Sequence, residues 1–277
     1  MAGDWPRASE WLESGRAGGI TVAGMPVTEH AVTPSSYQLA PTAIRDRLYR
    51  LSTYHGERGV DLADVPVVDR GDSLEPPGLE GPLTILLGGH NAVTFHALAG
   101  QRLDEWGLLT LDAHHDVRPY EPGAVTNGSP VRALIDAGLS GANVVQVGIH
   151  GFSNSPVHRA WCADQGVTIV GPDRVDEVPA LLDGLADRCQ WIYVDLDVDV
   201  LDRAFAPGCP GSRPGGLTPR QLLAAAFEAG AHPQVRAIDI VEVDPAADVN
   251  FVTVDAAALC LLNAAAGFAS RIQSVGG

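Results

Sequence analysis

The feature that most constrains this chain is a short apolar run that ends in three closely spaced side chains able to bind a metal. Residues 108–119 read Leu-Leu-Thr-Leu-Asp-Ala-His-His-Asp-Val-Arg-Pro. The apolar run is typical of a buried strand, and Asp112, His114 and Asp116 follow it at a spacing of two residues. On an extended chain these side chains point the same way, so two carboxylates and an imidazole converge and favour a divalent cation between them. The alternative is a solvated acidic loop after a strand.

A second stretch of the same kind lies later in the chain. Residues 191–202 read Trp-Ile-Tyr-Val-Asp-Leu-Asp-Val-Asp-Val-Leu-Asp, and Asp195, Asp197 and Asp199 alternate with apolar residues. A solvent-facing acidic edge would show the same alternation, although a fully buried parallel strand rarely carries such a run. Two acidic strand ends, one with a histidine, supply enough oxygen ligands for two hard metal ions.

Strand-like and helix-like segments alternate along the rest of the chain. This alternation predicts an α/β fold in three layers, with helices on both faces of a mainly parallel sheet. We expect strands at 18–26, 65–69, 83–87, 107–112, 143–149, 167–170, 191–199 and 235–243, and helices at 41–54, 93–104, 129–138, 156–164, 176–188 and 254–270. A further helix should begin after Thr218, an N-cap residue that precedes Pro219. No linker or repeat interrupts the pattern, so we expect one domain over residues 1–277.

The charge balance and the cysteines exclude several classes of function. The net charge is −16, with 34 acidic and 18 basic residues, which argues against nucleic acid or an anionic membrane as a partner. No run of eighteen apolar residues occurs, so we expect no membrane span. The N-terminus lacks a signal pattern, and the four cysteines show no CxxC spacing. We therefore expect a cytoplasmic protein with reduced thiols.

Several motifs together resemble the ureohydrolase family, which includes arginase, agmatinase, guanidino-acid hydrolases and formimidoylglutamase. The matching segments are Asp112-Ala113-His114-x-Asp116, Asp197-x-Asp199-x-x-Asp202, Gly88-Gly89, residues 204–208, residues 214–218, and Asp239-Ile240-Val241-Glu242-Val243 with Pro245. The resemblance implies an arginase-like three-layer fold and hydrolysis of a C–N bond in a linear amidine or guanidine. It also implies two Mn²⁺ ions per chain, a small-molecule substrate and a homo-oligomer. The metal ligands implied are Asp112, His114, Asp116, Asp197 and Asp199.

The chain departs from the family at the first metal position. The family pattern is Gly-Gly-Asp-His, whereas this chain reads Gly88-Gly89-His90-Asn91. An alignment without a gap places Asn91 at the ligand position, and we favour this interpretation because the register continues through Thr94. Asn91 would bind through its amide oxygen, more weakly than an imidazole. A small backbone shift would instead let His90 bind, and a weak or vacant first site is the third possibility.

A second departure concerns proton transfer. Asn127 stands where arginases and agmatinases carry a histidine thought to shuttle protons, and an amide cannot do that work. The proton would then move through water, Asp116 or another histidine such as His150. The resemblance also places Glu242 against the cationic head of the substrate, and a carboxylate matches a planar amidinium. We expect His115 to point away from its neighbours.

Two other aspartates are expected to support the site from outside. Asp202 should cap a loop, and Asp195 should support the metal ligands from behind.

The residues that contact the part of the substrate away from the amidine or guanidine group are the hardest to predict from the sequence. The segment Gly151-Phe152-Ser153-Asn154-Ser155 looks more like formimidoylglutamase than arginase, which has an acidic residue here. Arg118 could bind a carboxylate, or it could be a surface arginine. We expect Arg118, Asn127 and Asn154 to contact the substrate, and we favour formimidoylglutamate. The alternatives are an agmatinase-like or guanidino-acid hydrolase that releases urea, and a catalytically impaired member that acts as a binding protein.

Overall fold

The computed structural model describes residues 5–275, so residues 1–4 and 276–277 of the domain predicted over residues 1–277 lie outside it. A single domain over that range remains our proposal. Within the described residues the strands are β1 (Ile20–Met25), β2 (Tyr54–His55), β3 (Val60–Asp61), β4 (Val67–Asp72), β5 (Leu83–Gly88), β6 (Trp106–Leu111), β7 (Val144–Val147), β8 (Thr168–Val170), β9 (Trp191–Asp197) and β10 (Val235–Val241). The helices are α1 (Ala8–Leu12), α2 (Ala40–Arg47), α3 (Ala92–Leu98), α4 (Pro130–Asp136), α5 (Pro156–Gln165), α6 (Val178–Ala186), α7 (Pro219–Ala231) and α8 (Val252–Val275).

Eight of these strands form one parallel sheet in the described part of the chain, in the order β4-β1-β5-β10-β9-β6-β7-β8. The remaining pair, β2 and β3, forms a small antiparallel hairpin. Helices cover both faces, which confirms the predicted three-layer α/β class.

The two faces of the sheet carry separate apolar cores because side chains alternate along each strand. In β9, Ile192, Val194 and Leu196 pack with residues of α1, α2, α6, α7 and α8. Tyr193 points to the opposite face, where it packs with residues of α3, α4 and α5. Both faces of each central strand are buried, as their nearly continuous apolar sequences indicate.

Two helices end earlier than the sequence predicts. The helix expected at 41–54 ends at Arg47, a 3-10 turn follows, and Tyr54 instead pairs with Asp61 in the hairpin. The helix expected at 93–104 stops at Leu98, and Gly100 separates it from a 3-10 turn. By contrast, α7 begins as predicted, with Thr218 and Gln221 forming a capping box.

The closing helix α8 is apolar because it is buried. Residues Val252–Ile272 are long and apolar enough to cross a membrane by length and composition, but 78% of that window is buried inside the protein. Its small residues allow close packing: a Cβ on Gly267 would lie 2.0 Å from the carbonyl oxygen of Phe227 in α7. All four cysteines are buried and free, as expected for reduced thiols.

Candidate metal centre and active site

The functional side chains meet at the carboxyl ends of four adjacent strands in the middle of the sheet. Asn91 follows β5, the segment 112–116 follows β6, Asp197 is the last residue of β9 and Asp199 follows it, and Glu242 follows β10. Parallel strands bring these ends to one edge, which is where α/β sheets bind their ligands.

Tight turns, rather than extended strand, bring the acidic side chains together. β6 ends at Leu111, and the Asp112 carboxylate accepts a hydrogen bond from the His114 amide at 2.6 Å. In the same way the Asp197 carboxylate accepts from the Asp199 amide at 2.8 Å. These side chains thus converge through turns and not through the extended conformation that their spacing predicts, since β6 ends before Asp112 and β9 ends before Asp199.

Two overlapping groups of side chains could each hold a metal ion. In the first, Asp112, Asp116 and Asp197 offer ligand atoms within 4.8 Å of one another. In the second, Asp112 joins His114 and Asp199 over the same range, and the His114 Nδ1 lies 2.6 Å from the Asp199 Oδ2. Within residues 5–275 no arginine pairs with these carboxylates. A buried cluster of this charge needs cations, so the donors fit hard divalent metals that accept oxygen with some imidazole.

The pKa values of Asp112 and Asp116 are raised by burial and by the negative charge of the neighbouring carboxylates. Burial, followed by the charge of Asp199, raises the pKa of Asp112 to about 7. Burial and Asp112 raise the pKa of Asp116 well above its ordinary value. The Asp199 carboxylate raises the pKa of His114 to about 12, and His114 in turn holds the pKa of Asp199 low against the effect of burial.

The structure places Asn91, not His90, among these carboxylates. The Asn91 Nδ2 lies 2.9 Å from the Asp116 Oδ2 and 3.3 Å from an oxygen of both Asp112 and Asp197. Both ring nitrogens of His90 are used elsewhere: the Nε2 contacts the Glu29 carbonyl at 2.7 Å, and the Nδ1 accepts from the Ala92 amide. Gly89 permits this turn, because a Cβ there would lie 2.0 Å from the Val27 carbonyl oxygen.

Glu242 is held at the edge of the cluster by two donors. Its Oε1 accepts from the Asn91 amide at 3.0 Å and from the Asn127 Nδ2 at 3.1 Å. Burial raises the pKa of Glu242 to about 7. Glu242 and Asp116 adopt positive φ angles of 67° and 50°, a conformation that is costly for residues with a side chain and that is common at functional sites.

A cavity of about 560 Å³ opens onto this cluster. The carboxylates that line it, Asp116, Asp197, Asp199 and Glu242, are buried, whereas Arg118 and Arg213 of its lining are exposed and His158 is half-buried. The cavity lining also includes residues that the sequence motifs do not indicate, among them Tyr37, Arg213 and His158. Tyr37 is fully buried, and His158 lies in the first turn of α5. Both are distant in sequence from the acidic motifs at 112–116 and 197–199, so those motifs do not indicate them.

Asn154 joins the loop 151–155 to the turn at residues 112–116. The Asn154 Oδ1 accepts from the His115 amide at 2.9 Å, and its Nδ2 donates to the Ala113 carbonyl at 2.8 Å. Asn154 therefore lines the cavity with its amide already engaged. The His115 ring points away, as expected, and contacts Gln146 at 2.7 Å. The His150 Nε2 contacts the Pro214 carbonyl, and His150 is not among the residues that line the cavity.

The two remaining aspartates lie outside the cluster. Asp202 accepts from the amides of Ala204 and Gly215 and so caps its loop, as predicted. Asp195 is buried beside Asp239, its register partner on β10.

Comparison with known proteins agrees with this geometry. The profile of the arginase family matches residues 78–267. The formimidoylglutamase of Halalkalibacterium halodurans is 35% identical over 94% of this chain and 90% of its own length. The crystal structure of formimidoylglutamase from Bacillus subtilis superposes with a TM-score of 0.88 at 30% identity, covering 97% of this chain and 94% of that one. The structure of Trypanosoma cruzi formiminoglutamase with Mn²⁺ has a TM-score of 0.84 at 25% identity, covering 97% and 100%.

The chain belongs to the arginase family. It is a hydrolase that acts on amidino carbon–nitrogen bonds.

Proposed function

We propose that this protein is a manganese-dependent formimidoylglutamase that hydrolyses formimidoylglutamate to glutamate and formamide. The observation that carries this proposal is the separation of charge in the cavity. Four buried carboxylates line the cavity, while the rest of its lining includes the exposed Arg118 and Arg213, the half-buried His158 and the uncharged residues 152–155. A substrate with a cationic amidine at one end and carboxylates at the other matches this distribution.

The metal ligands would divide between two Mn²⁺ ions. Asp112, Asp116 and Asp197, with Asn91 beside them, would hold one ion, and Asp112, His114 and Asp199 would hold the other. When bound, such a pair of ions makes a water molecule more acidic at neutral pH and favours its attack on a planar carbon. The relative from Trypanosoma cruzi, whose structure contains Mn²⁺, supports manganese as the metal.

Glu242 would orient the substrate through its amidine group. The Glu242 carboxylate is already fixed by Asn91 and Asn127, so little conformational freedom is lost when it accepts hydrogen bonds from the amidinium. Asn127 thus binds substrate indirectly, by positioning Glu242. Asp116, whose carboxylate lines the cavity, would take a proton from the attacking water and return it to the departing nitrogen of glutamate.

Arg118 is the strongest candidate for the residue that binds a carboxylate of the substrate. Its guanidinium has no acidic partner within residues 5–275, and its side chain lies along Gly128, where a Cβ would come within 2.6 Å of the Arg118 Cδ. The backbone supports this path, since the Arg118 amide donates to the Gly128 carbonyl at 2.8 Å. An unpaired arginine in a cavity wall can form a charge-assisted bond with an incoming carboxylate.

The test is a substrate panel assayed with manganese-reconstituted protein and with two variants of Arg118. Arg118→Ala should raise KM for formimidoylglutamate about 10- to 100-fold with a smaller effect on kcat, because a hydrogen bond to a charged group is lost in both ground and transition states. Arg118→Lys, which keeps the charge but not the forked geometry, should fall between the two. An unchanged KM in Arg118→Ala would place the carboxylate elsewhere.

The rival functions give different outcomes in the same panel. Urea from agmatine or from a guanidino acid, at a higher kcat/KM than formimidoylglutamate turnover, would favour the agmatinase-like or guanidino-acid alternative. Tight manganese binding without turnover of any amidine or guanidine would favour a catalytically impaired binding protein.

A further inference from the structure

Behind the metal ligands, the hydroxyl of Thr94 lies between two acceptors. Its Oγ1 is 3.0 Å from the Asn91 Oδ1 and 2.7 Å from the Asp239 Oδ2. Thr94, Asn91 and Asp239 are all fully buried, so water cannot satisfy whichever acceptor lacks a donor. A hydroxyl carries one proton, and both contacts cannot use it at once.

The contact with Asp239 is the stronger of the two. It is shorter, and a carboxylate accepts a stronger hydrogen bond than an amide oxygen does. Asp239 is itself held in place, because the Tyr193 hydroxyl donates to the same Oδ2 at 2.8 Å. Once Thr94 donates to Asp239, its lone pairs face Asn91 and can only accept.

We propose that Thr94 and Asp239 position the Asn91 amide so that its oxygen faces the metal and its nitrogen donates to Thr94. A half-turn of the amide about its terminal torsion gives this arrangement without moving the backbone. Both contacts of the Thr94 hydroxyl are then hydrogen bonds, since Asn91 donates to Thr94 and Thr94 donates to Asp239.

The charge in the centre decides which way the amide turns. In the structure the Asn91 Nδ2 lies among oxygens of Asp112, Asp116 and Asp197, where an N–H donor is favourable. With a cation among those carboxylates, an amide oxygen is favourable at the same place and an N–H is repelled. Thr94 serves both states because a hydroxyl can donate or accept.

This inference rests on the proposed metal centre, so its test measures metal binding rather than turnover. Free Mn²⁺ is followed by EPR during titration of metal-free protein, and Kd is compared among variants. Thr94→Val keeps the shape but removes the hydroxyl, and Thr94→Ala is a second hydroxyl-free variant should the first not fold. Either should weaken the first site about 10- to 100-fold, as loss of a group that orients a ligand usually does. Thr94→Ser restores the hydroxyl and should restore the affinity.

Thr84 offers a matched control within the described residues. It is a buried threonine of β5 whose hydroxyl has no hydrogen-bond partner in the part of the chain that the structure describes. Thr84→Val should leave the Mn²⁺ affinity at the wild-type value. An equal Kd for Thr94→Val and Thr84→Val would overturn the inference and leave the proposed function standing.

A double-mutant cycle shows whether Thr94 acts through Asn91. In an Asn91→Ala background, adding Thr94→Val should change Kd by less than about twofold, because the amide to be positioned is gone. A full loss in that background would overturn the inference, since Thr94 would then support the site by another route. If the wild type binds no Mn²⁺, the proposed metal centre and this inference fall together.

Discussion

At the scale of single residues, we expect Asn91 to determine the strength of the first proposed metal site. Its amide lies among three carboxylates, whereas both ring nitrogens of His90 have other partners. Asn91→His should tighten Mn²⁺ binding, because imidazole is a better donor than an amide oxygen at the same position. His90→Ala should leave two Mn²⁺ per folded chain. Metal content after gel filtration and the Mn²⁺ titration curve measure both effects.

The reverse pattern would contradict this assignment. Loss of one ion in His90→Ala, with no change in Asn91→His, would show that His90 is the ligand and that the register after Gly89 is different. Losing a ligand removes much of the affinity of a site, so the two outcomes are well separated.

At the scale of elements, Asn154 connects the loop 151–155 to the turn at residues 112–116. Its side chain bonds the His115 amide and the Ala113 carbonyl across two segments that are distant in sequence. Asn154→Ala should lower the free energy of unfolding by about 1–3 kcal/mol, because partly buried backbone groups lose their partners. The same change should raise KM, since the loop that lines the cavity is no longer fixed. Urea unfolding and steady-state kinetics measure the two effects.

Ser153→Ala in the same loop is the matched control. Among residues 5–275 the one hydrogen-bond partner of the Ser153 hydroxyl is the Nδ1 of His150, at 3.2 Å, and Ser153 is half-buried, so its removal should have a small effect. Equal unfolding midpoints and equal KM values for the two variants would show that Asn154 does not fix the loop.

At the scale of the whole molecule, metal binding should make stability depend on pH. The pKa of Asp112 is raised to about 7 and that of Asp116 lies well above its ordinary value, so the metal-free fold retains protons that the unfolded chain releases near pH 4. This contribution to stability is present below pH 4 and is lost as the pH rises through about 7. Mn²⁺ replaces the protons, so its stabilising effect grows over the same range.

We therefore expect Mn²⁺ to raise Tm more at pH 8 than at pH 5.5. At a concentration 100-fold above Kd the gain at pH 8 should be about 5–10 °C, from about 2.7 kcal/mol of binding energy. Differential scanning calorimetry with Mn²⁺ or with EDTA measures it, and Asp112→Asn, which lacks a ligand shared by both groups, should show little gain. A gain in Tm that is larger at pH 5.5 would contradict the proton-for-metal exchange.

The oligomer and the compartment are also properties of the whole molecule. The homo-oligomer and the cytoplasmic location remain predictions from the sequence, as do two Mn²⁺ ions per chain. The net charge of −16 agrees with a small-molecule substrate rather than a nucleic acid.

The sequence by itself determined the fold class and the acidic part of the centre. Apolar runs alternating with helical segments predict a covered parallel sheet, and Thr218 with Pro219 marks the start of α7. Asp112, His114 and Asp199 were predicted to lie in the acidic cluster because they are next to the carboxyl ends of predicted parallel strands. Such strands bring these ends to the same edge of the sheet.

Only the tertiary structure decided how distant segments meet. It separated Asn91 from His90 through the close approach of Gly89 to Val27, and it added Tyr37 and His158 to the cavity. It also ended α2 at Arg47 in favour of the hairpin and engaged Asn154 with the turn after β6. Spacing along the chain sets the direction of a side chain relative to its own element, whereas the distance between segments remote in sequence depends on the packing of the whole core.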